Sequence, residues 1–386
     1  MNSFWIGQQV FILVFLGALL LIALSNLFTL QRLGTYPSST HFPRVSILVP
    51  ARNEEVNIES CVRSLVCQDY PDFEVLVLDD NSQDHTGQIL ARLTAEFPRL
   101  HVIHGRPLPS GWIGKHWACH QLAQGAGGEL LLFTDADTRH RPQGLRHSVE
   151  ALLSQKADLL SVLPHEEVVS WPEQLVVPMI AWSIFAFLPL ALAYRLRMPM
   201  LSSTIGQFML FRRSAYQEVG GYAAVRQEVV DDIALGQRVK AAGLRWRLAD
   251  GQSTVTCRMY RNFGEVWEGF SKNMFASLGS NIPLFLLAWG WQVVAFLEPV
   301  TILLLMLLGV HCSALSAALA AGAVAISLLL WGTYYGRFNI PFHLTFLYPA
   351  SVLFSATIAT RSMILSLRGQ ASWKGRKLER QRVKLW

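Results

Sequence analysis

Charge is what this sequence is short of. Asp, Glu, Lys and Arg make up 16% of its 386 residues, while 52% are hydrophobic. A typical globular chain is about a quarter charged. So little charge would not cover a wholly soluble surface, and so much apolar content excludes a disordered chain. Cysteine is scarce as well: there are five, an odd number, with no CxxC pair. That excludes a disulfide scaffold and argues against a structural zinc site. Cys61, Cys67, Cys119, Cys257 and Cys312 read as packing residues. Internal repeats and low-complexity segments are absent. The net charge of +6 is modest, and nucleic acid is not an expected partner.

The missing charge is localised. Met1 to Gln31 contains no charged residue, Phe11 to Leu24 within it is nearly all aliphatic or aromatic, and the stretch is long enough to span a hydrocarbon core of about 30 Å. A cleaved signal peptide would need a basic start and a small-residue cleavage site, so residues 1–31 read as a retained anchor. A second uncharged block follows Lys272. It predicts apolar spans over about 282–310, 313–335 and 341–362. Glu298-Pro299 falls inside the first, where the acid is either functional or at an interface and Pro299 is expected to break the helix. Arg368, Lys374, Arg376, Lys377, Arg380, Arg382 and Lys384 face one acid, Glu379, in a basic tail over 368–386. Such flanks stay cytoplasmic and attract anionic lipid. With the middle region on the same side, the C-terminal block over 281–362 should cross an even number of times, so one of its spans should be re-entrant, interfacial or split. Gln174 to Tyr194 is uncharged but holds Pro178 and Pro189. It reads as a membrane-facing or interfacial segment and not a crossing, or as an internal helix of the soluble region.

Residues 41–272 have another texture. Arg44 to Pro50, Phe73 to Leu78, Leu100 to His104 and Glu129 to Phe133 read as buried strands. Asn57 to Cys67, Thr86 to Phe97 and His116 to Ala126 read as helices. The alternation implies an α/β domain with a doubly wound, mainly parallel sheet. Ligands of such sheets bind beyond the carboxyl ends of the strands, and Asp79, Asp80, Asp135 and Asp137 all fall there.

Asp135-Ala136-Asp137 is the sharpest feature. Two acids one residue apart at a strand end can offer oxygens to one hard cation, Mg²⁺ or Mn²⁺, which also takes substrate phosphate oxygens. The alternative is a turn with an Asp capping the next helix. Asp231-Asp232 opens an amphipathic helix, either as ordinary charge at a helix N-terminus or as a carboxylate general base. Gly111-Trp112-Ile113-Gly114-Lys115 suits an anion but lacks P-loop spacing. Arg258, Arg261 and Lys272 could hold a pyrophosphate leaving group or serve as flanking charge of the membrane block. His116 and His120 lack the glutamate of a zinc motif and read as a structural pair.

Three segments taken together, Val45 to Glu55, Leu78 to Asp84 and Thr134 to Asp137, resemble glycosyltransferase family 2. Gly111 to Lys115, Gly206-Gln207-Phe208-Met209-Leu210-Phe211 and Trp373-Lys374-Gly375-Arg376 resemble its carotenoid- and hopanoid-associated subgroup. The resemblance covers about residues 41–275. It implies a GT-A fold between membrane helices, a nucleotide-sugar donor (UDP-hexose by expectation), Mg²⁺ or Mn²⁺, and a membrane lipid as acceptor. Pro50, Ala51, Arg52 and Glu54 would line the base and ribose, with Asp79 or Asp80 on the uracil or ribose. Asp135 would sit near the ribose and metal, Asp137 would ligate the metal, and Lys115 would lie near the donor. Asp232, the last of the acidic pair with Asp231, matches the catalytic base of an inverting displacement. The Gln-x-x-Arg-Trp motif of processive synthases is not matched: Arg258-Met259-Tyr260-Arg261-Asn262 lacks the Gln and Trp. Single-sugar transfer to a polyprenoid lipid at the plasma membrane, with the catalytic domain cytoplasmic, is therefore expected. A polysaccharide or polyprenyl-phosphate sugar synthase is the alternative enzyme, and a non-catalytic scaffold or transporter the alternative class.

Overall fold

The computed structural model describes residues 3–370, 372–373, 376–377 and 383–384. Lys374, Gly375, Glu379, Arg380 and Arg382 of the basic tail lie outside the described residues. The chain divides into two compact units. One holds residues 30–167 and 192–259, the other residues 1–29, 168–191 and 260–386.

The first unit is built on a seven-stranded sheet. Its strands are β1 (Val45–Ala51), β2 (Phe73–Asp79), β3 (Leu100–His104), β4 (Leu130–Thr134), β5 (Leu159–Leu163), β6 (Phe208–Arg212) and β7 (Trp246–Asp250). They lie side by side in the order β3-β2-β1-β4-β6-β5-β7. All neighbours run parallel except β6, which is antiparallel to both β4 and β5. β1 is apolar at nearly every position because it is central and covered on both faces. It runs through Pro50 to Ala51 instead of stopping at the proline, since an imino residue at the last turn of a strand forfeits little pairing. Helices Ile58–Val66, Thr86–Glu96 and Gly144–Ser154 seal their apolar stripes on this sheet through Val62, Leu65, Leu90, Leu93, Leu145 and Leu152. A small three-stranded sheet joins Thr138–His140, His165–Glu166 and Val255–Cys257, with Cys257 opposite both Thr138 and Glu166.

The second unit is helical. Four helical segments are long and apolar enough to cross a membrane: Trp5–Thr29, Ile282–Leu307, Ala314–Arg337 and Phe342–Arg368. The expected break at Pro299 does not occur, because Ile282–Leu307 is one continuous helix with Pro299 inside it. In an apolar bundle neighbouring helices satisfy the backbone group that a proline frees, so the ladder survives. Glu298 beside it accepts a hydrogen bond from Gln8 Nε2 at 2.5 Å. Gln9 donates to Ser316 Oγ at 2.8 Å. The uncharged stretch after residue 173 forms a short helix, Pro178–Phe187, set off by its prolines. Its Trp182 stacks on Trp331 with ring centroids 4.3 Å apart. Asn26 closes its C-terminus, donating to Phe185 O at 2.9 Å and to Leu188 O at 2.8 Å. This stretch therefore belongs with the apolar helices and not inside the sheet unit.

Candidate functional site

The site lies beyond the carboxyl ends of β1, β2 and β4. Parallel register sets Pro50 beside Leu78 and Ala51 beside Asp79, so one pair of strand ends brings five expected residues together. The Asp80 amide donates to Ala51 O at 2.8 Å. Arg52 Nη1 donates to Asp80 O at 2.5 Å, with the Asp80 carboxylate 4.0 Å away. Asp79 Oδ1 accepts from the Ser82 amide at 2.9 Å. Asn53 and Asn81 take positive φ of 52° and 55°, which Asn tolerates better than most residues, so both loops turn sharply away from the strand ends.

β4 delivers Asp135 and Asp137, and helix Gly114–Gly125 delivers Lys115. Its Nζ lies 2.6 Å from Asp135 Oδ1. Burial alone would lower this ammonium, but the carboxylates of Asp135 and Asp231 overcome it and hold it well above the usual lysine value. Asp137 is half-buried, and its Oδ1 is buried with no hydrogen-bond partner among the described residues. Burial, reinforced by the charges of Asp135 and Glu54, pushes its carboxyl up to about 7.

The acidic pair opens helix Asp231–Ala241 and its two members have opposite environments. Burial would raise Asp231, but His116 and Lys115 hold it below the usual carboxylate range. His116 Nε2 stands 3.6 Å from Asp231 Oδ1, and His116 Nδ1 contacts Arg226 O at 3.3 Å. Asp232 accepts backbone hydrogen bonds from Gly206 at 2.8 Å and from Ile233 at 2.7 Å. Burial and the neighbouring Asp231 charge push it up to about 7, against the pull of Lys115. Two carboxyls whose environments drive them apart are the pattern of divided acid–base labour.

The expected basic set is not gathered in one unit. Arg258 follows the Val255–Cys257 strand of the sheet unit, whereas Arg261 and Lys272 belong to the helical unit. The small sheet brings two residues that the sequence did not mark as functional. Cys257 accepts a hydrogen bond from Gln207 Nε2 at 3.1 Å. Burial, then the charges of Asp137 and Glu166, hold its thiol well above its usual value. Burial also pushes Glu166 up to about 8, opposed by Gln207 and abetted by Asp137. His116 is a third residue of this kind, since it faces Asp231 and does not pair with His120, which stacks on Trp117. Pairing of Val255–Cys257 with Thr138–His140 and with His165–Glu166 creates the first two contacts, and the approach of two helices distant in sequence creates the third, so no local spacing signals them.

Residues 46–220 match the family model "Glycosyl transferase family 2". This segment is a glycosyl transferase family 2 domain. The chain is 25% identical over 261 residues to a 4,4'-diaponeurosporenoate glycosyltransferase of Staphylococcus haemolyticus, covering 64% of this chain and 66% of that protein. It is 32% identical over 169 residues to a beta-monoglucosyldiacylglycerol synthase of Trichormus variabilis, covering 41% of this chain and 36% of that protein. The chain thus spans just under two thirds of the first relative and about a third of the second. Among solved structures, a mannosyltransferase from Pyrobaculum calidifontis in complex with GDP-Man and Mn²⁺ has a TM-score of 0.56 at 16% identity, covering 94% of this chain and 98% of that one. The likeness is one of fold, and the α/β architecture of the family 2 domain is GT-A-like.

A divalent cation suits the donor set of this domain. Asp137 offers a buried oxygen without a partner, Asp135 offers a second carboxylate, and hard cations of this kind complete their shell with water and phosphate oxygens. Among the described residues no ready-made group of three His, Cys, Asp or Glu ligands exists, so substrate oxygens would have to supply the rest.

Proposed function

We propose that the chain is a membrane-associated glycosyltransferase that moves one sugar from a nucleotide-diphosphate sugar, a UDP-hexose by preference, onto the hydroxyl of a membrane lipid, with inversion at the anomeric carbon. The observation that carries this reading is the convergence on Lys115. Its ammonium is bonded to Asp135 at the end of β4, while its charge bears on both Asp231 and Asp232. A donor-side acid and a base-side acid are thereby tied to one cation. The relatives' names, one a carotenoid-acid glycosyltransferase and one a glucosyldiacylglycerol synthase, favour a lipid acceptor of polyprenoid or diacylglycerol kind.

In this reading Ala51, Arg52, Glu54, Asp79 and Asp80 hold the nucleoside, and Pro50 shapes the floor beneath it. Asp137 and Asp135 would hold Mg²⁺ or Mn²⁺, which when bound offsets charge on the diphosphate. Lys115 orients Asp135, and Arg258 stands at the leaving group. Asp232 removes the proton from the acceptor hydroxyl as its oxygen attacks the anomeric carbon, and the nucleoside diphosphate departs from the opposite face. Asp231, held ionised by His116 and Lys115, keeps Asp232 basic. The four apolar helical segments anchor the enzyme in the plasma membrane, with the catalytic unit cytoplasmic.

The test supplies membranes containing the full chain with labelled UDP- and GDP-sugars and Mn²⁺ or Mg²⁺, and identifies labelled lipid by mass spectrometry. A single-sugar lipid is the expected product. Consumption of no donor would overturn the reading, and a ladder of polymer would replace it with a synthase.

A further inference from the structure

The sheet unit carries a surface that a water-facing domain has no use for. Residues 192–201 begin where the chain leaves the helical unit, and Arg195-Leu196-Arg197-Met198-Pro199-Met200 are all exposed. Leu192, Leu196, Met198 and Met200 are 50%, 43%, 46% and 71% exposed. Large apolar side chains gathered so closely mark an interaction site.

The segment is held firmly. The buried Lys240 ammonium donates to Ala193 O and to Leu201 O, gripping the loop at both ends. Tyr194 Oη donates to Leu248 O at 2.9 Å, and the Arg247 guanidinium lies 4.7 Å from its ring centroid. Ser202 Oγ closes the far end on Pro199 O at 2.7 Å. Neither Arg195 nor Arg197 makes a salt bridge among the described residues. Two guanidinium groups and four apolar tips are thus displayed outward by a braced loop.

Two basic residues interleaved with apolar ones suit an anionic bilayer surface, with guanidinium on lipid phosphate and apolar tips among the upper acyl chains. The chain carries four helical segments able to span that bilayer. We infer that residues 195–200 are a bilayer-contact loop of the catalytic unit, taking the phosphate of anionic lipid headgroups at Arg195 and Arg197 and seating Leu196, Met198 and Met200 in the membrane. The loop runs on through Ser202 to Gly206, whose amide holds Asp232. The contact therefore sets the depth at which the base meets a lipid hydroxyl, a consequence that rests on the role proposed for Asp232.

The test uses the full chain in nanodiscs of phosphatidylcholine alone or with phosphatidylglycerol added. The accessible Cys67 and Cys312 are replaced by serine, and a nitroxide is attached at Met200→Cys. The label should collide with membrane-dissolved oxygen more than with a water-soluble nickel chelate. Phosphatidylglycerol should deepen it, and Arg195→Glu with Arg197→Glu should cancel that deepening. The same double variant should raise the KM for lipid acceptor roughly tenfold while donor affinity, read by calorimetry, stays unchanged. A label in water under both compositions overturns the inference, as does Met200→Cys cross-linking between two copies, which would make the loop a protein interface. Because the collision readout needs no sugar transfer, an immersed label with no donor consumed would sink the proposed activity and leave the loop standing.

Discussion

The amide of Gly206 donates to Asp232 Oδ2 at 2.8 Å, and a Cβ on Gly206 would lie 3.1 Å from that same oxygen. A side chain at residue 206 would therefore press on the carboxylate that its backbone positions. Gly206→Ala should lower kcat by roughly a hundredfold, the cost of about an ångström of misplacement at a reacting group, with donor KM near wild type. Asp232→Asn should cost ~10²–10⁴ in kcat, the range for losing a general base. Initial rates with labelled donor check both, and an unimpaired Asp232→Asn enzyme would remove Asp232 from the mechanism.

Asp232 is pushed up to about 7 by burial and by the charge of Asp231. A base acts in its ionised form, so transfer should rise between about pH 6 and 8 with an acid limb near 7, and Asp232→Asn should flatten that limb. The same shift acts on stability. An unfolded Asp titrates near 3.9, so the folded chain holds a proton that the unfolded chain releases between about pH 4 and 7. The contribution of Asp232 is thus intact below pH 4 and lost as pH rises through 7. Asp232→Asn should raise Tm at pH 8 and leave it unchanged at pH 4, which thermal scans at the two values would show.

Lys115 is the cation that opposes the rise of both Asp137 and Asp232. Without it both carboxyls should climb further, so Lys115→Met should move the acid limb of the pH profile upward. It should also lower kcat by roughly a hundredfold, in the range for removing one preorganised charge. A profile that falls in height without moving would mean that Lys115 serves the donor alone.

Much of this site was legible because it depends on strand ends. Asp79, Asp80, Asp135 and Asp137 each close an apolar run, and a parallel sheet gathers such ends on one edge. The partners of those acids were not legible. Glu166 and Cys257 reach Asp137 through a small sheet that pairs Thr138–His140 with residues more than a hundred positions later. His116 meets Asp231 across a similar separation, while its i,i+4 spacing pointed to His120. The fold shows the same division. Strands β1 to β4 announced themselves by turn signals, but β5, the antiparallel β6 and the edge strand β7 did not. For the stretch after residue 173 an internal helix of the soluble region stayed open as an alternative, because hydropathy cannot tell which neighbours a short apolar helix will find, and packing in the helical unit removes that alternative. Pro299 misled, since a local helix-breaking preference was outweighed by the surrounding bundle.

Asp137 provides the sharpest test of metal use. Its buried Oδ1 has no partner among the described residues, and the charges of Asp135 and Glu54 bear on it. A cation there would relieve both conditions, so Mn²⁺ should bind the full chain more tightly when nucleoside diphosphate is present, because phosphate oxygens complete the shell. Removal of divalent ions should abolish transfer, and Mn²⁺ or Mg²⁺ should restore it. Asp137→Ala should lose the Mn²⁺ signal in paramagnetic relaxation measurements and lower transfer by at least a hundredfold, the range seen when electrostatic stabilisation of a leaving group is removed. Asp137→Asn should bind Mn²⁺ weakly and yet raise Tm at pH 8, because it fills the same space without a buried charge. Mn²⁺ binding that survives Asp137→Ala would move the metal away from β4 and undo the assignment.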